Sequence, residues 1–456
     1  MTRLWILVAV VGSVFTLFPK PAETQVIERV SVDSIGIEAN GWSSPNGRRT
    51  VMSDDGRFVV FQSDATNLVA DDFNGWRDVF IRDRELGSTA RVSVSTSGGD
   101  GNGPSDTPAI SADGRYVVFR SAAGNLVDGD LNFQWDIFRR DLQLGMTERV
   151  SVNPDGGDSN DDSSNPVINA DGRYVAFVSQ AWNLVPGGSN RFSNIFVRDM
   201  NLAATALVSV AWDGGGVEAN DWGPAISGDG RTVAFVSTAS SIVPDDFNDL
   251  LDVFVRDLDQ AVTIRASVDE AGGDADHSSR TPSLNFDGSH VAFQSTATDL
   301  VPDDTNGMGD IFVRVLGNDP YTHRVNLHSD GSQALDFGSW GAAIGASARY
   351  VAFLSDAQNL VDDDSNGFGD AFVHDRWNAV TRRISTDRNG GQADGWSGSA
   401  SFSSDEQYMV ISSVATNLIE GDTNGIDDVF VAMGPGTLFV DGFESGDSAG
   451  WSATGP

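Results

Sequence analysis

The feature that most constrains this chain is a repeat of about 58 residues. The segment DGRFVVFQS begins at residue 55 and returns as DGRYVVFRS at 113, DGRYVAFVS at 171 and DGRTVAFVS at 229. It continues as DGSHVAFQS at 287, SARYVAFLS at 347 and DEQYMVISS at 405. The copies are 58 residues apart, except for one interval of 60, so the chain contains seven units of one supersecondary structure.

Each unit contains four short runs that are typical of β strands. In the second unit these are residues 107–111, 115–121, 136–141 and 148–152, separated by Gly, Asp, Asn and Pro. Several four-stranded units in one chain are the signature of a β-propeller with one blade per unit. The sequence therefore predicts an all-β fold, a seven-bladed β-propeller of four-stranded antiparallel blades.

The two ends of the repeat predict how the ring closes. The last unit stops at residue 433 without a fourth strand, whereas residues 25–33, QVIERVSVD, form a fourth strand with no unit before it. We expect the N-terminal strand to complete the seventh blade, which leaves no open sheet edge. The seven fourth strands then begin near Arg29, Arg91, Arg149, Leu207, Arg265, Arg324 and Arg383.

The repeat resembles the TolB-like propeller repeats of the WD-type superfamily, in which S-x-D-G and an apolar strand precede an Asp followed by two hydrophobic residues. The resemblance covers residues 26–433, and four of the seven units keep DGR before the apolar strand. TolB itself differs in having an additional N-terminal α/β domain and fewer blades. The resemblance therefore implies the fold rather than a place in the Tol-Pal system, because one fold carries many functions.

The chain divides into three segments. Residues 1–22, with an apolar run over 4–18, are typical of a secretory signal peptide, although an uncleaved anchor is an alternative because no good cleavage site follows. The propeller occupies 23–433, and 434–456 form a C-terminal tail. Within that tail, 436–452 are similar to a C-terminal LF-x-DGFESGD-x-x-x-W segment of secreted proteobacterial proteins, which implies sorting. We expect a secreted or periplasmic protein, surface attachment being one option, with no membrane span in the mature chain.

The charge balance limits the partners. The sequence has 65 acidic and 29 basic residues and a formal net charge of -36, so nucleic acid is electrostatically excluded as a partner. Ten of the acids are Glu and the rest are Asp, a bias that turns and oxygen-ligand loops produce. The absence of Cys excludes disulfides, thiolate metal sites and cysteine nucleophiles. We expect a monomer that attracts cations.

Strand order predicts where the polar loops lie. In a four-stranded antiparallel blade, the loop between strands two and three and the loop into the next blade emerge on the same side. Both loops are rich in Asp, Asn and Gly, as in DDFNGWRD at 71–78 and GGDGNGPSDT at 98–107. One side of the ring, the acidic face, therefore holds most of these loops, and a protein or glycan partner is expected there.

The loops between strands two and three match D-x-D-x-N-G-x-x-D, a pattern similar to the calcium loops of integrin α-subunit propellers. Calcium takes about six to eight oxygen ligands, which alternating side chains around a glycine can supply. The pattern is complete in blades six and seven, lacks its first ligand in blades one and five, and has Phe133 in place of glycine in blade two. The candidate calcium ligands are Asp362, Asp364, Asn366, Asp370, Glu420, Asp422, Asn424, Asp428, Asp304, Asn306, Asp310, Asp72, Asn74, Asp78, Asp128, Asp130, Asn132 and Asp136.

The same residues have a simpler interpretation as turns. Asp, Asn and Gly satisfy backbone N–H groups without any ion, and the last Asp of the pattern persists in blade four as Asp252, although the glycine is missing there. Against this interpretation stands the repulsion among three or four carboxylates within one loop. Blade three, with Gly188 and Asn194, is predicted to bind nothing. Calcium is therefore a hypothesis for some of the blades.

Signs of catalysis are weak. The G-x-S-x-G match at 446–450 lies at the end of the chain without a following helix, so Ser448 is a chance match. The histidines occupy unrelated repeat positions and show no metal-ligand spacing. We predict a non-catalytic scaffold; the alternative is a glycan-acting or peptide-acting hydrolase or lyase with a site at the mouth of the central channel.

Eight tryptophans fall in loops predicted for the acidic face. Their rings can stack on sugars, anchor a protein partner or pack between neighbouring blades, and packing is the interpretation we favour. They are Trp42, Trp76, Trp135, Trp182, Trp212, Trp222, Trp340 and Trp396.

Overall fold

The protein is a seven-bladed β-propeller, as the repeat predicts. The computed structural model describes residues 26–45, 51–187, 189, 191–215, 217 and 219–434. Within these residues the chain forms 28 β strands in seven four-stranded antiparallel sheets. No helix in this part of the chain is long and apolar enough to cross a membrane. The predicted signal peptide and the tail after Gly434 lie outside the described residues.

Blades one to six take their strands in sequence, from the central channel outward. Blades one to three consist of β2 (Ser43–Ser44), β3 (Phe58–Ser63), β4 (Asp78–Asp83), β5 (Ser88–Arg91), β6 (Ser105–Ile110), β7 (Tyr116–Ser121), β8 (Asp136–Asp141), β9 (Met146–Arg149), β10 (Ser163–Ile168), β11 (Tyr174–Ser179), β12 (Asn194–Asp199) and β13 (Ala204–Leu207). Blades four to six consist of β14 (Asp221–Ile226), β15 (Thr232–Ser237), β16 (Asp252–Asp257), β17 (Val262–Arg265), β18 (Ser279–Leu284), β19 (His290–Ser295), β20 (Asp310–Val315), β21 (Tyr321–Arg324), β22 (Ser339–Ile344), β23 (Tyr350–Ser355), β24 (Asp370–Asp375) and β25 (Val380–Arg383).

Blade seven joins the two ends of the propeller. Its strands are β26 (Ser397–Phe402), β27 (Tyr408–Ser413), β28 (Asp428–Met433) and, on the outside, β1 (Ile27–Arg29). Strand β1 pairs antiparallel with β28, so that Arg29 lies opposite Phe430. The Val30 N–H then donates to Val429 O at 2.8 Å. The N-terminal strand therefore closes the ring as predicted.

The core lies between neighbouring blades. The second and third strands of a blade are buried on both faces, which explains why their sequences are apolar almost without interruption. In blade one, Phe61 and Phe80 lie opposite each other and stack with ring centroids 5.9 Å apart. Blades two to six repeat this stacked pair in Phe119–Phe138, Phe177–Phe196, Phe235–Phe254, Phe293–Phe312 and Phe353–Phe372.

The DGR segments form the turns between the first and second strands, opposite the acidic face. Asp113 Oδ1 accepts a hydrogen bond from the Arg115 N–H at 3.0 Å, and Gly114 between them has a φ of 72°. A Cβ atom at Gly114 would lie 2.5 Å from the Phe58 ring of the preceding blade, so glycine is required for space as well as for conformation. Arg115 also pairs with Asp141 at 2.7 Å, which ties this turn to the end of the third strand.

Candidate functional site

The two long polar loops of each blade contact each other on one face. In blade one, Asn74 Nδ2 donates to Gly101 O at 3.3 Å, which joins the loop after β3 to the loop that leads into blade two. The Ser105 N–H donates to Arg77 O at 2.8 Å and joins the same loops. The acidic face expected from strand order is therefore present.

An Asn-Gly pair shapes the loop before the third strand. Asn74 Oδ1 accepts from the Trp76 N–H at 2.8 Å, and Asn74 Nδ2 donates to Asp78 Oδ2 at 3.0 Å. Gly75 adopts a φ of 68°, and in blade two Phe133 adopts a φ of 58° at the same position. The turn therefore survives without glycine. Four other asparagines bond to the following Asp in the same way, namely Asn132, Asn306, Asn366 and Asn424.

In six of the seven blades the third strand begins with a fully buried Asp. Asp78 Oδ1 accepts from Ser93 Oγ at 2.5 Å, and Ser93 Oγ accepts from the Val79 N–H at 3.0 Å. This Asp therefore links the third strand to the segment after the fourth, which agrees with the capping role in the turn interpretation. The same serine–aspartate bond occurs at Asp136, Asp252, Asp370 and Asp428.

An arginine from the fourth strand lies among the loop carboxylates. Arg91 Nη1 is 3.4 Å from Asp72 Oδ1 and 3.5 Å from Asp78 Oδ2, while Arg91 Nη2 is 2.6 Å from Asp100 Oδ1. The side chains of Arg91 and Asp72 are almost completely buried. We call such a group an arginine centre. From the sequence these arginines were expected only near the starts of the fourth strands, and their place in the site was not predicted.

The arginine centre recurs in six blades. The distance from Nη1 to the first Asp of the centre ranges from 2.8 Å in blade five to 3.4 Å in blade one. The other centres are Arg149 with Asp130 and Asp136, Arg265 with Asp246 and Asp252, Arg324 with Asp304 and Asp310, Arg383 with Asp364 and Asp370, and Arg29 with Asp422 and Asp428. A third acid from the following loop pairs with the arginine in four of them, namely Glu38, Asp100, Asp158 and Asp274.

The centres carry more negative than positive charge. Burial and repulsion from Asp78 raise the pKa of Asp72 to about 6, although Arg91 attracts the ionised form. Burial is also the main cause that raises to about 6 the pKa values of Asp130, Asp304, Asp364 and Asp422. One guanidinium therefore does not fully compensate the carboxylates, so a centre favours uptake of a proton or of a further cation.

The first acid of the calcium pattern lies apart from the arginine centre. Asp362 is 93 % exposed, and its Oδ1 lies 3.3 Å from His328 Nε2. Glu420 pairs with Arg388 at 2.9 Å, and Asp128 is also exposed. The structure brings together the second Asp, the Asn and the last Asp of each candidate set, together with the arginine.

In the structure, the carboxylate oxygens of each centre face a guanidinium, as in blade one. Within the described ranges, no group of three or more Asp, Glu or His side chains is placed to hold a metal ion. Some buried carboxylate oxygens still lack a hydrogen bond, among them Asp72 Oδ2, Asp364 Oδ1 and Asp422 Oδ1. A calcium shell would need the arginine to swing away or the first acid to fold inward. Calcium binding therefore stays a prediction.

Blade three has lost the whole centre. Leu207 stands at the arginine position and Asn194 at that of the last Asp, while Gly188 and Asn190 lie outside the described residues. An acid appears instead at Asp221, which begins the first strand of blade four where the other first strands begin with Ser; it is fully buried, and burial raises its pKa to about 7. Because the arginine and its carboxylates are lost together, they behave as one unit.

Large apolar side chains are exposed on the acidic face of blades one to four. Five residues before the third strand, blades one, two and four carry Phe73, Leu131 and Phe247, which are 80 %, 72 % and 77 % exposed. We call these three, with the exposed neighbours Trp76, Phe133 and Phe192, the apolar sector. Blades five to seven carry hydroxyl side chains at this position, each bonded to the loop that follows: Thr305, Ser365 and Thr423.

The eight tryptophans divide between packing and exposure. Trp42 Nε1 donates to Asp427 at 3.1 Å and its ring is covered by Arg77, while Trp135 is covered by Arg120. Trp340 packs against the core of blades six and seven. The packing that we favoured for the whole set therefore holds for three of them. The exposed ones are Trp76, Trp182, Trp212, Trp222 and Trp396.

The central channel is lined by the first strands of the blades. It contains a cavity of about 110 Å³ near the opposite face, whose lining includes Ile110, Ile168, Ile226, Leu284, Ile344 and Phe402. Nearer the acidic face, Asp106 is paired with Arg120 at 2.6 Å. Most of the side chains that line the cavity are apolar, and Ser283, Asn285 and Ser401 are among the polar ones. The candidate nucleophile Ser448 lies outside the described residues.

Comparison with known proteins identifies the fold. No family model matches this sequence, and no curated protein matches it. Among solved structures, the oligogalacturonate lyase of Vibrio parahaemolyticus is 14 % identical, with a TM-score of 0.51 over 90 % of this chain and 97 % of that one. The β-propeller domain of the trilobed protease of Pyrococcus furiosus is 11 % identical, with a TM-score of 0.49 over 86 % and 95 %. TolB from Acinetobacter baumannii is 14 % identical, with a TM-score of 0.38 over 84 % and 81 %.

These similarities place the chain among the β-propeller proteins. TolB is one of its structural neighbours. Because sequence identity is low, the comparison establishes the architecture, and function must be argued from the site.

Proposed function

We propose that this protein is a secreted or periplasmic, non-catalytic propeller scaffold that binds a basic protein partner through the acidic face. The observation that carries the proposal is the apolar sector, which occupies only blades one to four. Exposed apolar side chains rimmed by charge are typical of interaction surfaces. The hydroxyl groups at the same position in blades five to seven are bonded within the face, so that half lacks apolar anchors at this position; its exposed Leu335, Phe337 and Trp396 lie in other loops.

The chemistry of the partner follows from the charge around the sector. Carboxylates surround Phe73 and Phe247, whose N–H groups donate to Asp100 and Asp274. With a net charge of -36, the protein attracts a Lys-rich or Arg-rich surface and repels an acidic one. A partner with apolar side chains inside a basic rim would therefore fit. A glycan stacked on exposed rings such as Trp76 is the alternative occupant.

Calcium in the blade loops is a separate proposal. The centres of blades one, two, four and seven have three acids for one arginine, whereas blades five and six have Gln333 and Gln392 in place of the third acid. Since excess negative charge favours a divalent cation, we infer that calcium prefers the four three-acid centres. This order differs from the sequence pattern, which was fullest in blades six and seven.

The enzymatic alternative, a glycan-acting or peptide-acting hydrolase or lyase, has less support. Its site would need an acid and a base at the channel mouth. The acid nearest that mouth in blade two, Asp106, is held by Arg120, and the cavity below is lined mainly by apolar side chains. We therefore retain the scaffold as the proposed function and expect it to act as a monomer.

The test compares two matched triple variants. Phe73→Ser, Leu131→Ser and Phe247→Ser together give blades one, two and four the polar character of blades five to seven. The control variant changes three exposed leucines of the opposite face, Leu86, Leu144 and Leu202, to Ser. Native protein and both variants are used as bait for the periplasmic and secreted fraction, and each retained protein is then purified and titrated against all three.

A direct partner should bind the native protein and the control variant equally and the sector variant at least about tenfold more weakly. Its affinity should also fall as salt is raised, because the rim contacts are ionic. Partners that bind both variants alike, or that carry no basic surface, would overturn the proposal. Retention of a glycan with no protein would assign the face to sugar.

A further inference from the structure

A pocket in the outer wall, between blades five and six, gathers basic side chains. It has a volume of about 400 Å³, and its lining includes His290, Tyr321, His323, His374, Arg376 and Trp377. None of the described residues that line it is acidic, in a chain with 65 acidic and 29 basic residues. We call it the basic pocket. Its three histidines occupy three different repeat positions, so the repeat pattern did not predict that they meet.

The junction of blades seven and one has the second arginine at the repeat position of Arg376, where the other blades carry Leu142, Met200, Leu258, Leu316 and Gly434. This second arginine, Arg84, pairs with Glu28 of the closing strand at 3.0 Å. Its guanidinium also lies 4.7 Å from the centre of the Tyr408 ring. At the junction of blades five and six, His323 stands at the position of Glu28 and His290 at that of Tyr408.

Arg376 keeps the backbone contacts of Arg84 and lacks its carboxylate. The N–H of Arg376 donates to Arg349 O as that of Arg84 donates to Arg57 O, each at 2.9 Å. Nη1 of Arg376 donates to Ala348 O at 2.5 Å, as Nη1 of Arg84 donates to Gly56 O at 2.6 Å. Among the described residues, no carboxylate lies within ion-pair distance of Arg376. The guanidinium is thus held in place by the backbone, with donors left for another group.

The imidazoles beside Arg376 are also available. The His323 ring contacts Tyr321 edge-on at 4.5 Å and makes no hydrogen bond in the described part of the chain. His290 uses only Nδ1, which lies 2.8 Å from Ser289 Oγ. Partial burial and the charge of Arg376 lower the pKa values of both histidines. A bound anion would therefore gain two further hydrogen-bond donors.

We propose that the basic pocket binds the carboxylate of a small ring-bearing molecule, which takes the place that Glu28 has beside Arg84. A guanidinium matches a carboxylate with two parallel hydrogen bonds. The pocket is much larger than a carboxylate alone requires, and Tyr321 and Trp377 at its edge are exposed and offer faces for a ring. The site lies away from the acidic face and does not depend on the proposed function.

The probes are benzoate, acetate and inorganic phosphate, titrated into the full mature protein up to about 10 mM. Binding is followed by ligand saturation-transfer NMR and by the imidazole resonances of native protein. Two variants change the pocket in opposite ways: Arg376→Gln removes the charge, and His323→Glu supplies an internal carboxylate as at Glu28. Arg84→Gln, at the junction that already has its carboxylate, is the matched control.

Benzoate should bind more tightly than acetate and shift the imidazole resonances of native protein. Arg376→Gln should weaken benzoate at least about tenfold, and His323→Glu should abolish its binding while raising the melting temperature. Arg84→Gln should bind benzoate as native protein does. No response to either carboxylate, or equal binding by His323→Glu, would refute the site; a preference for phosphate would refute the assignment to a carboxylate. If Arg376→Gln does not fold, His323→Glu decides.

Discussion

The arginine centres predict the effect of replacing Arg91 with Leu, the residue that blade three has at this position. The substitution removes the cation that faces Asp72 and Asp78, whose side chains are 1 % and 0 % exposed. Breaking a buried ion pair from one side costs about 3–5 kcal/mol, because the remaining charge is left without compensation. Protonation limits that cost, since the pKa of Asp72 is already raised to about 6. We expect a loss of about 3 kcal/mol at about pH 8 and a smaller loss at about pH 5.5.

A compensated variant separates the loss of charge balance from the loss of packing. Arg91→Leu combined with Asp72→Gly, Asp78→Asn and Asp100→Gly copies the composition of blade three, where the whole centre is absent. It leaves no buried carboxylate without a partner, so it should recover about half of the stability that the single variant loses. Arg77→Leu is the control, because its pair with Asp64 at 2.9 Å is partly exposed and should contribute less than about 1 kcal/mol.

Urea unfolding, followed by tryptophan fluorescence at both pH values, measures these differences. The slopes must agree among variants before the midpoints are converted to free energies. The reasoning fails if Arg91→Leu loses no more stability than Arg77→Leu, or if the compensated variant is less stable than the single one. A loss that does not depend on pH would show that packing, rather than charge, is responsible.

Three further predictions test other parts of the structure. Asp221 has a raised pKa in the folded protein, so the folded protein loses stability as pH rises from about 4, the ordinary Asp pKa, to about 7; Asp221→Ser should therefore stabilise by about 2 kcal/mol at about pH 8 and by less at about pH 5, in melts at both values. If calcium binds, calcium but not magnesium should raise the melting temperature above that in chelator, and Asp130→Ala with Asp422→Ala, in two of the three-acid centres, should reduce the rise; calorimetry showing no bound ion would exclude it. Val30→Ala, in the fully buried closing segment, should cost about 2–3 kcal/mol in urea unfolding, whereas Val26→Ala at an exposed position should cost almost nothing.

The architecture could be predicted because seven copies of the repeat show the same pattern of strands and turns. Seven copies of one apolar strand gave the number of blades, and each copy supported the others where a single unit had decayed, as at 347. Closure by Ile27–Arg29 followed because the last unit lacked one strand and the chain began with one. The number of blades follows from counting repeats, and closure follows from the need to cover sheet edges. Neither inference requires atomic detail.

The site was predicted less completely, for two physical reasons. The loop carboxylates were recognised, but their partner Arg91 is thirteen residues beyond Asp78 in sequence and reaches it only through the pairing of β4 and β5. The sequence did contain a signal, since Leu207 and Asn194 depart from the repeat in the same blade. The basic pocket gave no such signal, because its histidines meet only through the packing of two adjacent blades.

The departures from the repeat, rather than the repeat itself, indicate where this propeller is specialised. A change that concerns only the local fold is expected to occur alone. Phe133 is an example, because it replaces a glycine while the turn keeps its conformation. The differences around the basic pocket instead involve several residues that line one cavity. Arg84 and Arg376 are the two arginines at their repeat position, and Glu28 and Tyr408 beside Arg84 correspond to His323 and His290 beside Arg376. A partly buried guanidinium without a carboxylate partner is costly unless another anion pairs with it. A bound anion would offset this cost in the basic pocket. For the same reason, His323→Glu should stabilise the protein, because it supplies a carboxylate to Arg376 and thereby occupies the site.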